Sequence, residues 1–281
     1  MSGSSSAEYV LGTNPRELDR LGFQHRVWAN AAFSLWDRAG LVRGAKVLDV
    51  GCGPGFGSFD LAQIVGVEGL VVGVDESEPF IEHARGQARS RGMDHAHFGV
   101  GDVARLGEVV EGMGLGGVGF DLAYCRWVMC FVRDPRAVLE SIRGVLGEGG
   151  VLCVQDYLGY VSMGFAPDVP SFAPIVRALG EAIRSFGGDP DVMRMLPNLA
   201  AEVGFEVSFL DRIQTPAARP GSLMWSWPAT FWDVFLPRLV ELGGVSEAEY
   251  RGFMRDWAEI SRNPSAIMHL PPVYEMIARV Q

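Results

Sequence analysis

The chain has 281 residues and a formal net charge of −10, because 34 acidic side chains outnumber 24 basic ones. This length suits one large domain, or one domain with an appended lid. A hydrophobic fraction of 48% supplies ample material for a core and excludes a disordered or fibrous chain. The acidic balance also disfavours a nucleic acid as partner, because a polyanion would be repelled.

The cysteines and the apolar segments bear on the compartment of the protein. The cysteines at 52, 125, 130 and 153 form no C-x-x-C pair and lie within or beside apolar runs, so we expect buried free thiols. Residues 1–8 are small and polar, which predicts a disordered tail rather than a signal peptide. No run of about 18 apolar residues predicts a membrane span. We therefore expect a cytoplasmic protein with no membrane partner.

The first half of the chain alternates between helical patterns and short apolar runs. A helix over 14–40 is predicted to begin at Asn14 and Pro15, which are typical of a cap and a first helical position. Strands are then predicted over 46–50, 70–74, 97–100, 120–125 and 151–155, helices over 79–91 and 135–146, and a glycine-rich loop over 107–119. Buried strands that alternate with helices predict a doubly wound α/β sheet.

The alternation breaks after Asp156. Helical patterns cover 175–186 and 195–203, and strand patterns cover 205–210 and 275–280. Between those two strands lie about 60 residues rich in tryptophan and proline, too many for a bare loop. The predicted regions are a tail over 1–8, a helical cap over 9–40, a core over 41–212 and 272–281, and a helical lid over 213–271.

A glycine loop after the first strand carries the clearest chemical signal. Asp49, Gly51, Gly53 and Gly55 stand at alternate positions where the strand ends and a helix begins. Such glycines let the backbone turn tightly and bring a ligand close to the N–H groups of the helix. About 20 residues further on, Asp75 ends the second strand, where an acidic side chain can accept both hydrogen bonds from a ribose diol. The two features together predict an adenosine-type ligand.

The loop departs from the dinucleotide fingerprint. That G-x-G-x-x-G pattern needs a third glycine where this chain has Phe56 or Ser58. No phosphate-loop lysine is nearby, and the acidic Asp49 disfavours a pyrophosphate and favours a ligand with an ammonium group. A nicotinamide-dependent oxidoreductase therefore remains as a weaker alternative.

From Asp49 to Gly55 the sequence resembles the class I S-adenosylmethionine-dependent methyltransferases, and the resemblance extends over residues 40–160. It implies a Rossmann-like α/β fold with a seven-stranded, mostly parallel sheet whose last strand is antiparallel. It also implies S-adenosyl-L-methionine as the cofactor, with its ribose bound by Asp75, which Glu76 follows. A lone glycine or acid is as often a turn or a cap, so the order of the motifs carries the resemblance.

Two later segments match the same family. Gly101-Asp102-Val103 matches the motif in which the Asp102 side chain meets the adenine amino group and a neighbouring backbone N–H meets the ring. The fourth strand ends at Cys125, which the resemblance places under the methionine part of the donor. Arg126 comes directly after it and is a candidate partner for the donor's carboxylate.

The segment after the fourth strand indicates the kind of acceptor. Nucleic-acid base methyltransferases of this family carry an Asn/Asp-Pro-Pro-aromatic motif where this chain has Cys125-Arg126-Trp127-Val128. The segment instead resembles the small-molecule branch, in which an N-terminal helix and a late insertion close over the substrate. Asp134 and Asp156 show no spacing diagnostic of a Mg²⁺ site, and we expect no metal.

In that branch the N-terminal helix reaches the donor or the acceptor. Gln24 is therefore a candidate cofactor residue and His25 a candidate general base. An aromatic face is favourable near a sulfonium, and the tryptophans favour an apolar or aromatic acceptor. The candidate pocket residues are Trp127, Tyr157, Trp225 and Trp227.

These observations predict a methyltransferase that acts on an oxygen or nitrogen of a small, apolar or aromatic metabolite, as in secondary metabolism. The alternative is a protein of the same fold that binds the cofactor structurally and templates another reaction or serves as a binding module. Methyl transfer needs no obligatory side chain, so this alternative stays open. A homodimer is also compatible, because the tryptophan-rich insertion can cover a partner subunit as readily as a pocket.

Overall fold

The computed structural model describes residues 15–281. Its first element is a long helix, α1 (Pro15–Ala39), which buries Trp28, Leu35 and Trp36 on one face, as its periodic pattern predicts. The predicted tail over 1–8 and the Asn14 cap lie outside the described residues.

A seven-stranded sheet forms the centre of the fold. The strands of the chain are β1 (Lys46–Val50), β2 (Leu70–Asp75), β3 (Ala96–Val100), β4 (Phe120–Arg126), β5 (Leu146–Tyr157), β6 (Gly164–Ala166), β7 (Phe205–Arg212), β8 (Ile267–His269) and β9 (Val273–Val280). The large sheet has the order β3-β2-β1-β4-β5-β9-β7, and β9 runs antiparallel to both of its neighbours. The other neighbouring pairs are parallel. This confirms the predicted Rossmann-like sheet with an antiparallel last strand.

Helices cover both faces of this sheet. The helices that follow α1 are α2 (Phe56–Val65), α3 (Glu78–Arg91), α4 (Leu106–Gly112), α5 (Pro135–Val145), α6 (Phe172–Ser185), α7 (Leu196–Glu202), α8 (Leu223–Glu241) and α9 (Glu247–Ile260). One face packs against α4, α5 and α7, where α5 buries Val138, Leu139 and Ile142. The other face packs against α1, α2 and α3. The central strands are therefore buried on both sides, as their continuous apolar runs predict.

Several elements differ from the prediction. The glycine-rich segment 107–119 is not all loop, because α4 occupies its start and buries Leu106 and Val110. β5 begins before the predicted residue 151, since Leu146 already pairs with Phe120 across an irregularity in the ladder. α6 begins at Phe172 rather than at 175, because that ring packs 5.3 Å from the Phe253 ring.

A third apolar cluster, here called the lid core, joins α8 and α9 to α6 and also includes Trp28 of α1 and Val273 at the start of β9. Its centre contains Phe172, Trp232 and Phe253, all buried. β6 pairs with β8 in a two-stranded sheet beside it. Because α6 and β6 pack here, we propose that the lid includes residues 160–185 in addition to the predicted 213–271.

Two further observations concern expectations from composition. All four cysteines are free and buried, as expected. Within residues 15–281, no helix combines the length and the apolar character needed to cross a membrane.

Candidate functional site

A cavity of about 800 Å³ lies where β1, β2, β4 and β5 end, beside α1 and α8. Ligands of open α/β sheets bind outside the carboxyl ends of the strands, where the strand order reverses, and this volume suits a small organic ligand. The sequence-predicted residues that line the cavity are Gln24, His25, Asp49, Gly51, Gly53, Asp75, Glu76, Asp102, Val103, Arg126, Trp127, Tyr157 and Trp227.

The glycine loop forms one wall of the cavity. Gly51 has a φ of 68°, and a Cβ on it would lie 2.3 Å from a methyl group of Val128, so no larger residue fits there. Gly55 caps α2 with a φ of 84° but does not line the cavity. A Cβ on Gly55 would lie 3.1 Å from Ala84 and from Phe98, so this glycine seats the loop against β3 and α3.

Asp75 is fixed at the end of β2 by two backbone amides. Gly53 N–H donates to its Oδ2 at 2.8 Å, and Ser77 N–H donates to its Oδ1 at 2.9 Å. Burial raises the pKa of this carboxyl, and the two amides partly oppose the shift. A carboxylate offers about four lone-pair sites, so each oxygen keeps the capacity to accept a hydroxyl from a ligand.

Two more acids stand at the outer end of the same wall. Asp102 accepts the Ala104 N–H at 2.8 Å and so caps the short turn that contains Val103. Glu76 is exposed, and its pKa is raised by partial burial and by the charges of Asp75 and Asp102. This end of the cavity therefore accepts hydrogen bonds and disfavours phosphate groups.

Asp49 lies deeper and is almost fully enclosed, with 4% of its surface exposed. Ser58 Oγ donates to its Oδ2 at 2.6 Å. Burial raises the pKa of Asp49 to about 6, while the Ser58 hydrogen bond and the charge of Arg126 act in the opposite direction. A buried carboxylate is stabilised most by a cation, so this position favours a cationic ligand group.

His25 connects α2 to the end of β4. Its Nε2 lies 2.7 Å from Asp60 Oδ2, and its Nδ1 lies 2.9 Å from Arg126 Nη2. A guanidinium only donates hydrogen bonds, so Nδ1 is the acceptor and the ring proton lies on Nε2, facing Asp60. Both ring nitrogens are thereby engaged, and neither has a lone pair free to take a proton from a substrate. The geometry opposes the predicted role of His25 as general base.

Arg126 has one bound and one unbound nitrogen. Nη2 contacts His25, whereas Nη1 is enclosed and has no hydrogen-bond partner among residues 15–281. The guanidinium carbon also lies 5.1 Å from the Trp127 ring and 5.7 Å from the Tyr124 ring. A buried donor without a partner costs free energy, so Arg126 is prepared to bind an anion.

Aromatic rings form the opposite half of the cavity. Trp127 stacks on Trp227 at 5.9 Å and on Tyr157 at 6.0 Å, and Tyr157 meets Tyr160 edge-on at 5.0 Å. Within the described part of the chain, Trp127 is the one residue other than glycine with a positive φ, 53°. Such strain persists where the surroundings enforce it, typically at functional sites.

Gln24 links the two walls of this aromatic half. Its Oε1 accepts hydrogen bonds from Trp227 Nε1 at 3.0 Å and from Arg20 Nη1 at 2.9 Å. The predicted cofactor residue therefore lines the cavity, and its carbonyl oxygen ties α1 to α8.

Three sequence-predicted residues lie outside the cavity, and Gly55 is one of them. Cys125 faces the apolar core behind β4, where burial raises the pKa of its thiol far above the usual range. Trp225 belongs to the lid core, because its ring stacks 4.8 Å from Trp257 and its Nε1 donates to Ser261 Oγ. The side chains of Cys125 and Trp225 therefore do not line the cavity.

Sequence reasoning missed several lining residues. Arg20 is buried and makes two hydrogen bonds, at 2.6 and 2.7 Å, to the buried Glu17 one turn earlier. The spacing of Glu17, Arg20 and Gln24 on one face of α1 is a signal that could have found this pair. The other missed lining residues include Phe56, Tyr160, Met163, Phe231 and Phe235.

The proteins that this chain resembles in sequence include methyltransferases. A family model described as a methyltransferase domain matches residues 41–172. Aklanonic acid methyltransferase DauC of Streptomyces sp. (strain C5) is 30% identical over 159 residues, which cover 56% of this chain and 67% of that protein. The chain spans less than half the length of some other curated relatives that it matches.

Solved structures share the fold. A SAM-dependent methyltransferase from Aquifex aeolicus has a TM-score of 0.52 at 17% identity, over 72% of this chain and 93% of that one. The [4+2]-cyclase SpnF has a TM-score of 0.55 at 19% identity, over 89% of this chain and 80% of that one. At these identities both likenesses concern the fold.

Proposed function

We propose that the acceptor is a small metabolite with an apolar or aromatic frame. The chain belongs to the class I S-adenosylmethionine-dependent methyltransferases. The enzyme is a methyltransferase and its cofactor is S-adenosylmethionine. The observation that carries the proposed acceptor is the aromatic half of the cavity, where Trp127 stacks between Tyr157 and Trp227.

The residues of the polar half fit the cofactor. Arg126 has an enclosed nitrogen without a partner, and Asp49 is a buried acid without a full cationic partner. We propose that they bind the carboxylate and the ammonium group of the methionine part. Asp75, next to Glu76, would accept the ribose hydroxyls, and Asp102 would accept the adenine amino group.

When bound, the cofactor supplies a methyl group on a cationic sulfur. The chain's own contribution is to bind, to orient and to exclude water. The aromatic faces of Trp127 and Tyr157 favour a cation in their vicinity, and the apolar rings around them make water a poor competitor.

The acceptor half offers donors rather than bases. Burial raises the pKa of Tyr157 and Tyr160 well above the usual value for a phenol, so both hydroxyls stay protonated. With both nitrogens of His25 engaged, an acceptor that arrives ionised, or that attacks through a neutral nitrogen, suits this site best. The name of the relative DauC describes an acid as its substrate, which supports a small acidic or phenolic metabolite.

The test has two stages. Calorimetric titration with S-adenosylhomocysteine should give a Kd of about 1 μM, and NAD should give no heat of binding. Transfer of a labelled methyl group to a panel of aromatic acids, phenols and amines should then identify a product, whereas transfer to tRNA or protein alone would overturn the proposed acceptor class. Binding of S-adenosylhomocysteine without transfer to any acceptor would favour the non-methylating alternative.

Two finer expectations remain proposals. The net charge of −10 supports the absence of a nucleic-acid partner. Homodimerisation stays a prediction that sedimentation velocity would check.

A further inference from the structure

His25 has a more specific task than lining the cavity. It lies between Asp60, whose side chain is 27% exposed, and Arg126, which holds the enclosed nitrogen described above. As a neutral ring with its proton on Nε2, His25 donates to Asp60 and accepts from Arg126 at the same time. A second proton on Nδ1 would replace the acceptor with a donor and place two positive groups 2.9 Å apart.

We propose that His25 is a positioning residue that holds Arg126 ready for the carboxylate of the donor, and that acidification releases this hold. Asp60 fixes the ring proton on Nε2, which leaves Nδ1 as the acceptor for the guanidinium. The inference rests on the proposed placement of the donor's amino-acid end beside Arg126 and Asp49. It predicts that protonation of the enzyme weakens donor binding without any change in the donor.

Other charged or titratable groups lie near His25 and Arg126, and their effects on the pH dependence of binding must be distinguished from that of His25. From the neighbouring elements they are Asp60 on α2, Asp49 on β1, Asp75 on β2, Tyr124 on β4, and His83 on α3, which lies beyond the Phe56 ring. The cavity-lining residues of α8 carry no titratable group, and on α1 Glu17 and Arg20 bind each other. Asp49 also titrates near neutrality, since its pKa is about 6.

The experiment measures binding by calorimetry between about pH 8 and about pH 5, the range in which histidines titrate. The two ligands are S-adenosylhomocysteine and 5′-methylthioadenosine, which lacks the amino-acid part. On acidification wild type should lose more affinity for the first ligand than for the second, because both ligands keep the ribose contact with Asp75 and only the first carries the amino-acid part. This second ligand also reports whether each variant folds.

Two substitutions of His25 distinguish positioning from simple packing. His25→Asn keeps one donor and one acceptor at every pH. Its binding of S-adenosylhomocysteine should therefore lose the contribution of His25 to the pH dependence and keep the contribution of Asp49. His25→Ala should weaken that ligand about tenfold at about pH 8 and leave 5′-methylthioadenosine unchanged. His83→Asn is the matched control and should keep the wild-type profile. In a double variant that adds Asp49→Asn to His25→Asn, S-adenosylhomocysteine should show no more pH dependence than 5′-methylthioadenosine, because both ligands share the ribose contact with Asp75.

A spectroscopic measurement tests the ring directly in the ligand-free enzyme. In protein labelled with ¹⁵N-histidine, the signal missing from His25→Asn identifies this ring, which should carry its proton on Nε2 at about pH 8. A proton on Nδ1, or an unchanged pH profile in His25→Asn, would overturn the positioning role. Equal wild-type affinity for the two ligands would instead overturn the placement of the carboxylate beside Arg126.

Discussion

At the residue scale, Asp49 shows that a ligand site and a stable fold compete for the same position. Burial raises its pKa from the usual 3.8 to about 6. The folded protein therefore holds this proton more tightly than the unfolded chain, so stability falls as pH rises from about 4 to about 6 and stays reduced above that range. The proposed contact with the ammonium group of the donor explains why a carboxylate is retained here at this cost.

Replacing Asp49 by Asn should expose this cost. The amide stays neutral, and its oxygen can still accept from Ser58, so the ligand-free variant should be more stable than wild type at about pH 7.5, on the order of 2 kcal/mol. Near pH 4 the difference should largely disappear. Urea unfolding at the two pH values measures this difference in stability. Asp156, whose pKa is also about 6, does not contribute to the difference because both proteins retain it. Equal stability at the higher pH would contradict the argument.

Asp75→Ala tests the proposed ribose contact. Hydrogen bonds to a charged acceptor contribute about 1.5–3 kcal/mol, so the Kd of S-adenosylhomocysteine should rise at least about tenfold. Asp94→Ala, in the exposed turn before β3, is the control and should bind as wild type does. An unchanged affinity in Asp75→Ala would remove this residue from the site.

At the scale of elements, the sequence predicted the features that depend on neighbouring residues and missed the contacts between distant ones. The strand, glycine loop and helix around Gly51 could be predicted because they depend on residues next to one another. The same holds for the position of the acid at the end of β2. The pairing of Phe165 with Met268, and the approach of His25 to Arg126, join residues about a hundred positions apart. Periodicity and motif spacing carry no information on such pairs, which is why the proposed wider lid and the proposed role of His25 could be inferred only from the structure.

The two tryptophans of α8 make a matched pair for the lid. Trp227→Phe removes the hydrogen bond to Gln24 and part of the stack on Trp127, so the KM for the acceptor should rise about fivefold. Trp225→Phe changes a ring that packs on Trp257 inside the lid, so it should lower stability and leave the acceptor's KM unchanged. Equal effects of both on KM would indicate that Trp227 acts through the lid's packing.

At the scale of the molecule, α1 makes the sheet and the lid one unit. Leu35 and Trp36 belong to the apolar core on one face of the sheet, while Trp28 belongs to the lid core. The hydrogen bond from Trp227 to Gln24 adds a polar link between α8 and α1. Unfolding of the lid would therefore uncover part of α1 and weaken its packing on the sheet.

We expect this coupling to appear as a single unfolding transition. In a calorimetric scan, the ligand-free enzyme should give one peak, and S-adenosylhomocysteine at a hundred times its Kd should move that whole peak upward, since such a ligand adds about 2.7 kcal/mol. Trp28→Leu should split or broaden the peak, because it removes the buried ring that α1 contributes to the lid core. Two separate wild-type peaks, with only one displaced by the ligand, would show that lid and sheet unfold independently and that α1 does not couple them.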